Sequence, residues 1–256
     1  MKLNCDSLLV KILIQKEIVS RLPESIKALK LPRQQETEVE VGQLIIGWHE
    51  GKLALFSKGS GPVYVDFVEG KAAHRRQFGG GKKQPLARAI GLSSKTTPKV
   101  IDTTAGFGRD SFVLASLGCE VTMIERSPIM AALLQDGLDR AAKEPEIAEI
   151  MRRLSVIHAD ATDYLNDINP VQVVYLDPMY PEKKKAAAVK KEMRLLQQLT
   201  GPDLDSALLL EAALKKAVNR VIVKRPKGAR SIEGQRVSSE ISSPNTRYDI
   251  YNLKAL

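Results

Sequence analysis

Aromatic residues are scarce in this chain, at 5% of 256 positions, so a ring at the end of an apolar segment needs a reason. Cysteine is scarcer still, with Cys5 and Cys119 far apart. Two distant thiols build neither a disulfide framework nor a zinc site, and they fit a reducing compartment. No apolar run approaches the ~18 residues that would suggest a membrane span. The run "SLLVKILI" follows Asp6 and is interrupted by Lys11, and no cleavage-like region comes after it. A cytoplasmic protein without a membrane partner is therefore expected. Repeats and low-complexity tracts are absent too. Acidic residues are outnumbered, 30 against 39 Lys and Arg, which leaves a net charge of +9 at pH 7. A positive field of that size favours phosphate-rich partners, nucleic acid among them.

What is present falls into two parts. Residues 1–75 read as a small β-rich lobe. In "EVGQLIIGWHEGKLALFSKGSGPVYVDFVEG" short β-prone pieces are divided by Gly and Ser-Gly-Pro signals, the pattern of hairpins. Trp48 and Phe56 are expected in this lobe's core, and His49, beside a turn signal, at its surface. Residues 76–256, including a connecting segment 76–97, change rhythm. From Pro98 onward, apolar strands in "KVIDTTAG", "CEVTMIERS", "RLSVIHAD", "VQVVYLD" and "NRVIVKRP" alternate with helical stretches. That alternation predicts an α/β domain with a mostly parallel sheet covered on both faces. The closing "TRYDIYNL" alternates apolar and polar residues and predicts an antiparallel strand at or near the sheet's edge.

The loop "DTTAGFGRD" joins the first of these strands to its helix. Gly106 and Gly108 permit a sharp turn and close approach of a ligand to free N–H groups. It is not the dinucleotide fingerprint G-x-G-x-x-G, because Ser111 stands where the third glycine would fall. Asp102, just before the loop, would repel a pyrophosphate but suits an ammonium group. Glu125 ends the second strand, where a carboxylate can accept hydrogen bonds from both ribose hydroxyls. Asp160, ending the third, can reach the exocyclic amine of an adenine. Three acids at adjacent strand ends match S-adenosylmethionine, which carries all three groups and no phosphate. His158 has no second histidine or cysteine nearby in sequence, so it reads as packing, and no metal is expected.

The fourth strand ends in "DPMYP". A carboxylate at Asp177 can hold an exocyclic base amine, Pro178 fixes the turn, and Tyr180 can stack on the base. Taken alone, the pentapeptide can also be a Pro-rich strand-to-helix turn with Tyr180 against a hydrophobic patch. Basic segments flank the same predicted edge and suggest contacts with a nucleic-acid backbone. They contain Arg75, Arg76, Lys82 and Lys83 between the two parts, Lys183 and Lys184 after the motif, and Lys224, Arg225 and Lys227 near the fifth strand.

Long stretches resemble one family, the bacterial ribosomal RNA small subunit methyltransferase J family. They are "VDFVEGKAAHRRQFGGGKKQPLARAIG", "DTTAGFGRDSFVLASLGCEVTMIERSP", "VVYLDPMYPEKKKAAAVKKEMR", "GPDLD", "VIVKRPKGA" and "RYDIY", in order over roughly residues 63–251. The resemblance implies a class I S-adenosylmethionine-dependent methyltransferase, Rossmann-like, with a seven-stranded sheet and a small N-terminal lobe. It implies methylation of the N2 amine of guanosine 1516 in 16S ribosomal RNA, with that RNA or the small ribosomal subunit as partner. Family cofactor contacts would fall on Arg109 and Asp110, Glu125 and Arg126, Asp160 and Ala161, and Asp177. The pair Asp160–Ala161 departs from the family's usual small hydroxyl residues, so contacts through hydroxyls there would be lost. Met179 stands where many amino-methyltransferases carry a second proline, and the J family shares that methionine. An adenine-N6 methyltransferase, a protein-glutamine methyltransferase and a non-catalytic RNA-binding module are the alternatives. Asp177 in place of an asparagine argues against the second. The third would leave Asp102, Glu125 and Asp177 without a shared purpose. A monomer is the default expectation.

Overall fold

The computed structural model describes residues 12–15, 27, 33–34, 43–70, 81–179, 199 and 205–256. The first sheet holds β1 (Ile12–Gln15), β2 (Arg33–Gln34), β3 (Leu44–His49), β4 (Lys52–Ser57) and β5 (Ser60–Val63), in the order β2-β1-β3-β4-β5. The predicted hairpins are there: β3 pairs antiparallel with β4, and β4 with β5. Glu50 and Gly51, with φ of 48° and 77°, turn the first of them as the primed two-residue loops do. The interrupted apolar run near the N-terminus supplies β1, which lies parallel to β3 rather than in a hairpin. Phe56 is buried as expected, Trp48 packs partly buried against the main core, and His49 is half-exposed.

After a 3-10 turn at Gly81–Lys83 and α1 (Pro85–Ile90) the βα rhythm begins. It runs β6 (Val100–Asp102), α2 (Arg109–Ser116), β7 (Val121–Glu125), α3 (Pro128–Ala141), α4 (Ala148–Met151), β8 (Leu154–His158), α5 (Ala161–Asp167) and β9 (Val171–Leu176). Then follow α6 (Ser206–Lys216), β10 (Ala217–Pro226), β11 (Ser239–Ser242) and β12 (Thr246–Asn252). The second sheet has seven strands in the order β11-β12-β10-β9-β6-β7-β8. Strands β10, β9, β6, β7 and β8 are parallel, and β12 enters antiparallel beside β10. The sequence placed β12 well. It missed β11, the true edge, whose four residues are mostly exposed and carry no strong apolar pattern.

Chain order reverses at β6, which has β7 on one side and β9 on the other. The crevice of an open α/β sheet opens at the carboxyl ends of such a pair. The small sheet is fastened beside it on α3. Asp136 accepts the Leu53 N–H at 3.1 Å and the Arg140 Nε–H at 2.8 Å, while Arg140 donates to the Val65 carbonyl at 2.5 Å. Gly137 lets α3 approach, because a β-carbon there would lie 2.7 Å from Val65 Cγ1. Leu53, Leu55, Val65 and Phe67 join Phe112 and Leu134 in one buried cluster, with the Phe67 and Phe112 rings stacked at 5.4 Å. Close packing of this kind gives the crevice a rigid wall.

Candidate active site

The glycine loop leaves β6 and returns as α2. Gly106 and Gly108 have φ of 51° and 67°, a region that side chains rarely adopt. Gly108 is constrained twice over: a β-carbon would sit 2.9 Å from Leu134 Cδ2 and 3.1 Å from Phe67 Cζ. Glu125, 5% exposed at the end of β7, anchors the loop by accepting the Gly106 N–H at 3.0 Å and the Ser127 N–H at 2.8 Å. Asp102, 2% exposed, accepts from Ser111 Oγ at 2.5 Å and from the Thr104 N–H at 3.1 Å. Ser111, which breaks the dinucleotide fingerprint, is therefore the residue that holds the acid the loop is built around.

Asp160 caps α5, its Oδ1 accepting the Thr162 N–H at 2.9 Å and the Asp163 N–H at 3.2 Å. The Ala159 N–H reaches the Glu125 carbonyl at 3.2 Å, so the ends of β8 and β7 are tied together. Ala161 opens α5. Arg109 starts α2 with its guanidinium 5.1 Å from the Phe107 ring centre, and Arg126 reaches Asp205 before α6 at 3.5 Å. His158 is exposed rather than packed, its Nε2 3.2 Å from the Arg126 carbonyl.

Across the reversal, Asp177 leaves β9 with its N–H donated to Thr104 Oγ1 at 2.6 Å. Pro178 behind it is buried, and Met179 packs partly buried on the core. Lys224 Nζ lies 2.7 Å from Asp177 Oδ2 and 2.8 Å from Asp110 Oδ2, and the Tyr175 hydroxyl donates to that same Asp110 oxygen at 2.7 Å. Asp102, Asp110 and Asp177 thus converge on one spot from β6, α2 and β9. Burial pushes Asp102 up to about 7, partly offset by Ser111 and Thr104 and reinforced by Asp110 and Asp177. Burial likewise pushes Glu125 up to about 7 against the hydrogen bonds of Ser127 and Gly106. Burial alone would lower the Lys224 ammonium, but Asp177 and Asp110 together hold it well above its ordinary value. Thr104, Ser111, Tyr175 and this role of Lys224 escaped the sequence: Ser111 reaches back across the glycine loop, and the others are contacts between distant segments.

Two buried carboxyls that are reluctant to ionise suit a cationic, donor-rich ligand, which restores their charge. The ammonium and ribose diol of S-adenosylmethionine supply the donors and its ammonium and sulfonium the positive charge; a pyrophosphate supplies neither. A further cleft of about 510 Å³ lies at the opposite ends of β6, β7 and β9. Lys99 and Glu120 on its rim pair with each other at 2.7 Å, and the carboxyl pair just described lies at the other end of the sheet.

The basic residues scatter more than the sequence suggested. Lys224 is committed to the two carboxylates. Arg225, 5% exposed, points to the other face of the sheet and donates to the Arg230 carbonyl. Neither is placed as a surface phosphate contact: successive strand residues face opposite ways, so Lys224 meets the two carboxylates while Arg225 is buried on the other face. Lys82 donates to the Ser93 carbonyl at 2.9 Å, in the segment feeding the amino end of β6, and its charge is felt by Cys119 before β7. Lys82 therefore stands at the wrong end of the sheet for the predicted edge, and exposed Lys83 lies beside it in the same turn. Lys227 is exposed just past the carboxyl end of β10. Arg75, Arg76, Tyr180, Lys183 and Lys184 lie outside the described residues.

Comparison with known proteins bears on this geometry. The family described as "Putative SAM-dependent methyltransferase" matches residues 24–253. The Ribosomal RNA small subunit methyltransferase J of Hydrogenovibrio crunogenus is 55% identical over 89% of each chain. That of Pseudomonas aeruginosa is 49% identical over 89% of this chain and 88% of its own. A crystal structure of a SAM-dependent methyltransferase from Neisseria gonorrhoeae superposes with a TM-score of 0.70 at 34% identity, covering 94% of this chain and 95% of that one. A sheet that reverses between β6 and β9, acids in place of a phosphate-binding loop, and identity of this extent lead to one conclusion: the chain belongs to the ribosomal RNA small subunit methyltransferase J family, with the class I fold and S-adenosylmethionine as its cofactor.

Proposed function

We propose that this protein methylates the exocyclic N2 amine of a guanosine in 16S ribosomal RNA, at the position the family resemblance names, guanosine 1516. The observation that carries the chemistry is Asp177, held at the end of β9 across the sheet's reversal from Asp102 and Glu125. Asp102, Asp110 and the glycine loop would hold the amino-acid end of the cofactor, Glu125 its ribose and Asp160 its adenine. Arg109, Arg126 and Ala161 would complete the surroundings. The bound cofactor supplies an electrophilic methyl group on a sulfonium.

The chain's own residues do the rest. A guanine N2 lone pair is delocalised into the ring, which makes it a weak nucleophile. A carboxylate accepting one of its N–H bonds favours the pyramidal nitrogen of the transition state over the planar ground state. Asp177 is positioned for this because its N–H is fixed on Thr104 and the next residue is a buried proline. Tyr180 would stack on the base and hold it in register. The substrate as naked RNA or as the small ribosomal subunit, the contacts of Lys227 and of the basic residues outside the described set, and a cytoplasmic location belong to the same reading. So does division of the chain at residues 75 and 76, supported by two sheets that share no strand among the described residues.

Methylated nucleosides from 16S ribosomal RNA incubated with the protein, identified by mass, test the assignment. N2-methylguanosine is expected. N6-methyladenosine as the product would keep the fold and move the enzyme to another substrate class.

A further inference from the structure

Lys224 was expected on phosphate and is found instead between two acids. Its Nζ stands 2.7 Å from Asp177 and 2.8 Å from Asp110, one acid on each side of the sheet's reversal. Strand register explains why. Lys224 pairs with Tyr248 across β10 and β12, and its neighbours Ile222 and Ile250 lie in the same core as Tyr175. That face delivers the ammonium to the carboxyl end of β9. The Tyr175 hydroxyl, on Asp110 at 2.7 Å, orients the acid that shares the lysine. Asp110 lies in the first turn of α2, directly after the glycine loop. One ammonium therefore connects the segment that would hold the cofactor to the carboxylate that would hold the base.

We propose that Lys224 is a positioning residue for methyl transfer: it fixes the Asp177 carboxylate in its charged form and couples it to the glycine loop through Asp110. The inference rests on the reading of Asp177 as the group that holds the base amine. Three acids meet here, Asp102 from β6, Asp110 from α2 and Asp177 after β9, with the Tyr175 hydroxyl donating to Asp110 and the charge of Tyr248 on β12 felt by Tyr175. Like charges this close disfavour ionisation of one another, and a cation within ~4 Å reverses that by about 1–3 pH units. The ammonium supplies the cation without occupying the base, and it does not touch the reacting atoms itself.

The test uses the full-length protein, saturating S-adenosylmethionine and single-turnover transfer to 16S ribosomal RNA, with the product nucleoside identified by mass. Lys224→Met should lower the transfer rate about tenfold or more, in line with loss of a preorganised charge. The acid limb of its pH profile should move up by about one unit or more. RNA affinity and its salt slope should match the parent. If Lys224→Met does not fold, Lys224→Gln, whose amide still donates one hydrogen bond, carries the same readouts. A parental rate with an unmoved acid limb overturns the proposal, and so does a reduced salt slope, which would return Lys224 to phosphate binding. Failure of the parent itself to form N2-methylguanosine would instead overturn the functional reading beneath it.

Discussion

Lys224 and Arg225 are consecutive on β10, yet the strand turns them into two different charge clusters. On one face Lys224 meets Asp110 and Asp177, near a third acid at Asp102, so carboxylates outnumber the cation among these groups. On the other face Arg225 and Arg247 surround Asp249, which is wholly buried and accepts from Arg247 at 2.6 and 3.1 Å. Arg247 also reaches the Lys227 carbonyl at 3.4 Å and Ser231 Oγ at 3.2 Å, so the second cluster fastens the loop after β10. In the first cluster the buried Asp102 is held by two neutral donors, Ser111 and Thr104, and a cationic ligand would add the charge they lack. In the second, charge is already matched by charge and by backbone carbonyls. One is built to receive something, the other to hold the chain.

Breaking the second cluster should cost the most. Asp249→Asn removes the buried carboxylate that Arg247 and Arg225 share and leaves Arg247 only Glu240, at 3.7 Å, among the described acids; burial already pushes Arg225 down to about 10. Removing one partner of a buried pair costs about 3–5 kcal/mol, so denaturant unfolding should show a large loss of stability. Transfer rates of the folded fraction should stay near the parent's. A variant with unchanged stability and a poor rate would reverse the assignment of the two clusters.

Asp177→Asn attacks the first cluster and should do the opposite. Measured at saturating cofactor, it should cut the transfer rate by about 10²–10³, comparable to losing one preorganised electrostatic contact in other enzymes. Its unfolding midpoint should shift little, because Asp177 is half-exposed and its backbone anchor on Thr104 survives. A near-parental rate would remove Asp177 from the mechanism.

The two buried acids also predict a pH dependence. Asp102 and Glu125 are both raised to about 7 in the ligand-free protein, against ordinary values near 4. Between those limits the folded state holds protons that the unfolded chain has released. Ligand-free stability should therefore fall as pH rises from about 4 to 7. Cofactor affinity should move the other way, rising up to about tenfold per pH unit per proton released until roughly pH 8. Calorimetry in two buffers of different ionisation enthalpy would count those protons. Binding without proton release at pH 6.5 would contradict a site that waits for a cation.

How far the sequence could reach follows from the same two faces. The β6–β10 strands announced themselves as continuous apolar runs, and the acids at their ends were readable because strand ends are where such sheets bind ligands. Face was harder. Lys224 and Arg225 look alike in sequence, and only the registers Lys224↔Tyr248 and Arg225↔Arg247 show which acids each meets. Lys82 looked like part of a basic stripe, but α1 folds it back to the amino end of the sheet. Ser111 donates to the Asp102 carboxylate nine positions back, and Thr104 accepts the backbone N–H of Asp177 seventy-three positions on, contacts that no local pattern encodes.

The smallest expected effect concerns the basic residues that neither cluster takes. Lys227 is exposed beside the crevice, on the loop that Arg247 fastens, while Lys82 lies at the opposite end of the sheet. If RNA approaches the carboxyl end of β9, a phosphate there can reach Lys227 and cannot reach Lys82. Each phosphate contact contributes roughly 0.7–0.9 to the slope of log affinity against log salt. Lys227→Ala should lower the slope by about that much, with little change in cofactor affinity, and Lys82→Ala should leave it at the parental value. Filter binding to 16S ribosomal RNA across a salt series makes the comparison directly. The reverse result, with Lys82 sensitive and Lys227 silent, would place the RNA on the amino side and separate phosphate contact from the crevice altogether.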